Sequence, residues 1–217
     1  MLHDLFNALE ETLFMVFSAG LLTWVIGLPL GALLSVTGPN KFLEKRFIYS
    51  PLHFVVRTTR SIPYIVFMIC LIPFTRLVAG SIEGSMAAVI PLTLASIPYF
   101  AQLSEKAISK APAGLIEAAL AIGASPIQII YKVLIPEALP NIISALTSTL
   151  IHLIGYSTIA GALGGGGLGG LMIQKGYQSF HADYVIATVI ILVALVQTVQ
   201  ICGDYIANGS LHKSSNA

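Results

Sequence analysis

Charged residues drop out of this chain in long stretches. Residues 12–40, 84–104, 138–174 and 184–203 contain no Asp, Glu, Lys or Arg, and a shorter uncharged run, 61–75, lies between Arg60 and Arg76. A helix that crosses a bilayer needs about 20 mostly apolar residues. The 138–174 run is too long for one crossing and turns glycine-rich toward its end. The 61–75 run falls short of a hydrocarbon core about 30 Å thick at about 1.5 Å per residue. Leu77 to Ala79 extend it, and the flanking arginines can snorkel to the interface. The pattern predicts an all-α polytopic membrane protein, a single transmembrane domain over 1–217. Its five transmembrane helices fall at approximately 12–36, 61–80, 84–106, 139–160 and 184–206.

Composition agrees and narrows the choice. The chain is 56% hydrophobic and 10% charged with a net charge of +1, where a soluble domain carries about 25% charged residues. Disordered chains are poor in apolar residues and rich in charge, so disorder is excluded. There is no basic stripe for nucleic acid. Cys70 and Cys202 both sit in apolar runs, which rules out a disulfide scaffold or a cysteine metal cluster. An odd number of crossings puts the termini on opposite sides, and the positive-inside rule chooses between them. With the N-terminus outside, Lys41, Lys45, Arg46, Arg57, Arg60, Lys106, Lys110, Lys132 and Lys213 are cytoplasmic, nine of the eleven basic residues. Only Arg76 and Lys175 remain outside, and the C-terminus is cytoplasmic.

Glycine and proline interrupt several of these helices. Gly27-Leu-Pro-Leu-Gly31 has the small-xxx-small spacing that lets helices approach closely, and Pro63 and Pro98 are positions for kinks. The only acid or base firmly inside a crossing is His152, expected as a helical histidine bonded to a neighbour. Proton- and ion-coupled carriers place ionisable groups near the midplane, and self-contained carriers carry internal repeats. Neither is visible here.

The segment between the third and fourth crossings is not a span. Pro112 suits the first turn of a helix and Gly123 can break it. Ser125-Pro126-Ile127-Gln128 then offers an N-cap, a proline at the first helical position and a capping-box glutamine, and Pro136 is expected to end that helix. The result is two short helices about a glycine turn over 112–136, on the positive side of the membrane. A surface-lying pair with an apolar face normally docks a partner.

The residues of this segment carry a resemblance. Glu117-Ala118-Ala119, three residues, Gly123, nine residues and Val133-Leu134-Ile135-Pro136 resemble the EAA loop of ATP-binding-cassette importer permeases, EAA-x3-G-x9-I-x-L-P. Val stands for the first Ile and Ile for Leu. Further stretches resemble the methionine-type permeases of that family. These are Arg60-Ser-Ile-Pro-Tyr-Ile through Ile72-Pro-Phe-Thr-Arg76, Gly114 to Ala119, Leu134 to Pro140, Gly155-Tyr-Ser157, Gly164 to Gly169 and Gly176-Tyr177. The similarity covers almost the whole chain.

The resemblance implies a type I importer permease fold in a bacterial inner membrane and the transport of an amino acid, D/L-methionine first, with another small amino acid or a dipeptide as the alternative. The chain is then a transport subunit, not an enzyme. It implies a homodimer within membrane lipid, two ATPase subunits that hold the ATP and Mg, and an exterior substrate-binding lipoprotein. No cofactor, metal or nucleic acid is implied for the chain itself. Carried over by position, Glu117 contacts the ATPase, Ala118 and Ala119 allow close approach, Gly123 supplies the turn, and Ile135 and Pro136 close the motif. Tyr156, Ser157, Thr158 and Ile159 fall where such permeases line the path and its gate.

Other tempting motifs fail on chemistry or placement. The 164–170 glycine tract lacks the Gly-Lys-Ser/Thr of a phosphate loop and lies outside, as a mobile exterior loop or a plain turn. His152 and Ser157 are about 140° apart on one helix, so they form no nucleophile–base pair. Asn208-Gly-Ser resembles a glycosylation acceptor but falls inside. Arg60 is either a snorkelling anchor or the partner of an acid such as Glu105.

Overall fold

The computed structural model describes residues 1–39 and 41–214. Asn40, residues 215–217 and the side chains of 210–214, Lys213 and Ser210 among them, lie outside that description. Among the described residues every regular element is helical. Four helical runs are long and apolar enough to cross a membrane: Leu2–Thr37, Ser85–Ile108, Pro126–Gly165 and Ala182–Gly209.

Helix α1 (Leu2–Thr37) begins ten residues before the expected start. The reason is a stripe that extends past Glu11: Leu5, Ala8, Thr12, Met15 and Ala19 are all buried, at three- and four-residue intervals. Asp4 in the first turn suits the positive end of the helix dipole.

The expected second crossing is not one helix. After α2 (Arg46–Ser61), its place is taken by α3 (Tyr64–Cys70) and α4 (Ile72–Ala79). Two prolines explain the breaks. Pro63 disfavours helical backbone at Ile62 and serves as N-cap of α3 with ψ 134°. Pro73 enters the first turn of α4, where it needs no N–H donor, and Leu71 joins α3 to α4. Gly80, at φ 72°, closes α4 by donating its N–H to the Arg76 carbonyl at 3.0 Å.

Pro136 does not end its helix, contrary to expectation. Helix α5 (Ser85–Ile108) is followed by α6 (Ala113–Ala121) and α7 (Pro126–Ile129). From α7 the chain runs through a π-helical turn (Ile130–Leu134) directly into α8 (Ile135–Ala160). Proline removes one N–H and its ring crowds the carbonyl four residues back. The wider π turn just before Pro136 gives that carbonyl room, so the helix carries on. Beyond α8 lie a π turn (Gly161–Gly165), α9 (Gly167–Leu171), a second π turn (Met172–Gln178) and α10 (Ala182–Ser214).

The chain divides into two compact units. The first comprises Met1–Thr23, Ser61–Ser96 and Ser148–Gln200. Its core gathers Met15, Ala19, Tyr64, Leu92, Leu153 and Ile154. Gly20 is the close-approach point in it, because an added Cβ would lie 2.6 Å from Leu150 Cδ2. The second unit comprises Trp24–Arg60, Ile97–Thr147 and Ile201–Ala217. Its core holds Val36, Phe100, Ile108, Ala119, Ile129, Leu134 and Ile142. The Gly27-x3-Gly31 spacing works here as expected. A Cβ on Gly31 would lie 2.6 Å from the Ala101 carbonyl oxygen and 2.6 Å from Ser104 Cβ, so α1 meets α5 backbone to backbone.

Gly31→Val therefore forces α1 off α5 and should cost about 1–3 kcal/mol. Gly155→Ala, whose new methyl meets nothing within 4 Å, should be neutral or stabilising by up to about 1 kcal/mol. Thermal melting in detergent checks both, and equal Tm values for the two variants would contradict the packing argument.

Candidate functional site: the helix pair over residues 112–136

Pro112, expected in the first turn, stands one residue earlier, as the N-cap of α6. At the other end, Gly123 donates to the Leu120 carbonyl at 3.0 Å and Ala124 to the Ala119 carbonyl at 3.0 Å. That is a Schellman closure, with Gly123 at φ 79° in the left-handed position. No atom crowds a Cβ at Gly123, so glycine is required there by backbone angle and not by space. Ser125 then opens α7 with a complete capping box. Its Oγ accepts from the Gln128 N–H at 3.4 Å, and its own N–H donates to Gln128 Oε1 at 2.8 Å.

The pair has an inner and an outer side. Ala119, Ile129 and Leu134 are buried in the core of the second unit. Glu117 and Ala118 are exposed, and so are Leu120, Ile122, Ile127 and Tyr131. Ile122 is 85% exposed, which leaves an aliphatic side chain at the tip of the turn with no intramolecular role. Ile135 is half-buried and Pro136 exposed, both within the continuous helical run. Of the residues singled out from sequence, Glu117, Ala118 and Gly123 thus share an exposed surface, whereas Ala119 anchors it from beneath. Glu117 and the apolar side chains of Leu120, Ile122, Ile127 and Tyr131 are thus exposed on the same short helix pair and its continuation. Among the described residues no three His, Cys, Asp or Glu side chains gather as metal ligands.

The second group, on α8, is less open. Ser157 is buried, and its hydroxyl donates to the Ile154 carbonyl at 2.8 Å. Thr158 bonds the same carbonyl at 3.1 Å, and Ile159 is 36% exposed. The Tyr156 ring stacks on Tyr64, with centroids 3.9 Å apart and planes 7° from parallel. His152 lies against the other aromatic, its centroid 4.3 Å from that of Tyr156.

The glycine tract is a tightly wedged turn: Leu163 and Gly164 leave the helical path, Gly164, Gly166 and Gly167 take positive φ, and α9 restarts at Gly167. A Cβ on Gly161 would overlap the Gly166 carbonyl oxygen, and one on Gly169 would overlap the Thr158 carbonyl oxygen. Glu11 Oε2 accepts from the Gly167 N–H, and Thr12 Oγ1 accepts from the Leu168 N–H at 2.9 Å. Asp4 accepts from the Tyr184 hydroxyl at 2.8 Å. These contacts bridge more than 150 residues of chain, and no local spacing announces them. Arg60 meets an aromatic ring rather than Glu105. Its guanidinium sits over the Tyr99 ring, 5.1 Å from the centroid. Glu105 instead faces Tyr49, whose phenol is held above its ordinary value by burial and then by that carboxylate.

Comparison with known proteins supplies the context. Residues 27–209 match the family described as binding-protein-dependent transport system inner membrane component. A probable D-methionine transport system permease protein of Vibrio cholerae is 42% identical over 209 residues, covering 96% of this chain and 93% of the relative. The D-methionine transport system permease protein of Escherichia coli K12 is 45% identical over 161 residues, 74% of each chain. Among solved structures, a native crystal form of an inward-facing methionine ABC transporter aligns with TM-score 0.95 and 43% identity, over 97% of both chains. An amino acid ABC transporter with histidines shares the fold, at TM-score 0.76 and 22% identity over 94% of this chain and 92% of the other.

The wedged tract makes a prediction. The amides of Gly167 and Leu168 should exchange slowly with solvent deuterium. Glu11→Ala together with Thr12→Val should speed that exchange at least about tenfold, the equivalent of roughly 1.4 kcal/mol. Fast exchange in the parental protein would restore the mobile-loop reading.

Proposed function

The chain belongs to the family of binding-protein-dependent transport system inner membrane components, and from that we propose that it is the membrane subunit of an ATP-binding-cassette importer for D/L-methionine. The observation that carries the substrate is the identity of 42% across nearly the full length of a D-methionine permease. The chain works as a homodimer in the bacterial inner membrane. Hydrolysis of ATP with Mg takes place on two separate ATPase subunits, and an exterior binding lipoprotein delivers the amino acid.

The transmission runs through residues 112–136. Each ATPase takes the exposed Glu117, Ala118, Ile122, Ile127 and Tyr131 surface into a cleft. The Schellman turn and the capping box make α6 and α7 one stiff piece, and Ala119 and Ile129 fasten that piece to the core. Closure of the ATPases on ATP then moves a body rather than a loop. Helix α7 continues into α8, which bears Tyr156, Ser157, Thr158 and Ile159 of the path. The N-terminus is outside and the C-terminus cytoplasmic, in keeping with the nine basic residues on one side. Helices α3 and α4, which follow Arg60 and carry Arg76 in the last turn, make a fifth crossing in two pieces. The permease offers weak contacts only. Affinity resides on the binding protein, so a path without fixed charge suffices.

Glu117→Lys should leave membrane insertion and Tm unchanged, because the side chain is exposed. It should lower ATP-driven uptake by at least about tenfold, since opposite charge in a docked cleft costs several kcal/mol. Gly123→Pro should do the same with some loss of stability. The assay is uptake of labelled methionine into proteoliposomes carrying the permease, ATPase and binding protein. Uptake at the parental rate in Glu117→Lys refutes the docking role. Displacement of methionine by other amino acids or dipeptides, but not by excess unlabelled methionine, refutes the substrate.

A further inference from the structure

The buried hydroxyls of this protein mostly look after themselves. Thr12 donates to the Ala8 carbonyl, Ser35 to Ala32 and Ser157 to Ile154, each within its own helix. Five buried oxygens have no partner among the described residues: those of Thr23, Tyr64, Ser96, Ser104 and Thr188. Four of these are short helical hydroxyls, one rotamer away from the carbonyl a turn back. Tyr64 is different. Its oxygen stands at the far end of a rigid ring, out of reach of its own backbone. The residue is only 6% exposed and lies in the first unit's apolar core. An unpaired buried hydroxyl costs about 1–3 kcal/mol, and phenylalanine would fill the same volume without that cost.

Its setting says what the hydroxyl is for. Tyr64 is the first residue of α3, a seven-residue helix with Pro63 as its N-cap and a break at Leu71. Such a short piece between two breaks can turn as a unit. Its ring closes face to face on Tyr156 of α8, and His152 backs Tyr156. We propose that Tyr64 and Tyr156 form a substrate-contact constriction: the rings part to admit a zwitterionic amino acid with an uncharged, polarisable side chain. The parted faces receive the ammonium group and a thioether or other soft side chain. The Tyr64 hydroxyl donates to the carboxylate. Neither 138–174 nor 61–75 contains an Asp, Glu, Lys or Arg, which favours a cargo with an uncharged side chain. The inference rests on the amino-acid reading above and adds the residues that touch the cargo.

The test compares Tyr64→Phe with the parental importer, assembled with its ATPase and binding protein in proteoliposomes. Labelled methionine is tried first and then each remaining proteinogenic amino acid, and the comparison uses whichever the parental complex moves. The expected result for Tyr64→Phe is a Tm that is unchanged or higher, with the substrate moved per ATP hydrolysed falling about three- to tenfold. Ser96→Ala, which removes another unpartnered buried hydroxyl of the same unit, should stay within about twofold of the parental ratio. Parental transport by Tyr64→Phe overturns the proposal and assigns the hydroxyl to a buried water. A fall in transport with a matching fall in Tm overturns it as well, because that is the mark of a packing role. If the parental complex moves an amino acid other than methionine, the methionine reading fails, and the Tyr64 comparison is decided on that substrate.

Discussion

Inside hydrocarbon every backbone N–H and C=O must find its partner within the protein, and this chain carries eleven prolines and nineteen glycines. How the helices absorb these residues decides most of the structure. Pro29 is carried inside α1 without a break, flanked by Gly27 and Gly31, which press against α5. Pro136 is absorbed by widening the preceding turn to π geometry. Pro63 and Pro73 are not absorbed. Pro63 becomes the N-cap of one new short helix and Pro73 a first-turn residue of the next, where a missing N–H costs nothing. The same residue type thus makes a continuous rod at one place and a jointed one at another. Whether neighbouring carbonyls can be satisfied decides which.

Close approach is the second half of that constraint. Apolar helices in lipid gain little from burying apolar surface against each other, so contact distance and polar satisfaction hold them. Gly31 on Ala101 and Ser104, Gly20 on Leu150, and Gly203 on Thr147 are such contacts. The 161–170 tract extends the idea until backbone meets backbone, with Glu11 and Thr12 satisfying its exposed amides. An acidic side chain near the end of an uncharged run looks like a boundary marker in a sequence. Here it is a structural ligand for the Gly167 amide, far away along the chain.

What was legible in the sequence was what is local. The Gly123 turn, the Ser125–Gln128 capping box and the Gly27–Gly31 approach are each set by a few adjacent residues, and each is found as expected. The four long apolar helices were legible for the same reason, since an uncharged run of sufficient length has few other uses. The misses are all cooperative. The start of α1 depends on a buried stripe whose partners lie elsewhere in the chain. The passage of the helix through Pro136 depends on a π turn that no residue type prescribes. The pairing of Arg60 with Tyr99 rather than with an acid depends on which side chains its helix happens to face. Tyr64 was quoted only as part of a resemblance, because a tyrosine after a proline has no signal of its own until its ring partner and its idle hydroxyl are seen together.

The placement of charge has a mechanical consequence. A transporter that draws on an ion gradient needs ionisable groups within its path, and the uncharged runs of this chain supply only His152, packed against an aromatic ring. Work must then enter as motion, through a surface stiff enough to carry it. The proposed coupling pair has that property, because the joint between its helices is closed by the Schellman turn and the capping box and its inner side is locked into a core. It also faces a limit. A π turn is the weakest part of a helix, and the one at Ile130–Leu134 separates α7 from α8. Force delivered at Glu117 is therefore best transmitted as displacement of the whole pair with its core, by way of Ala119 and Ile129, and less well as a pull along the helix axis. That places the mechanical demand on two buried apolar side chains rather than on the charged residue that marks the surface.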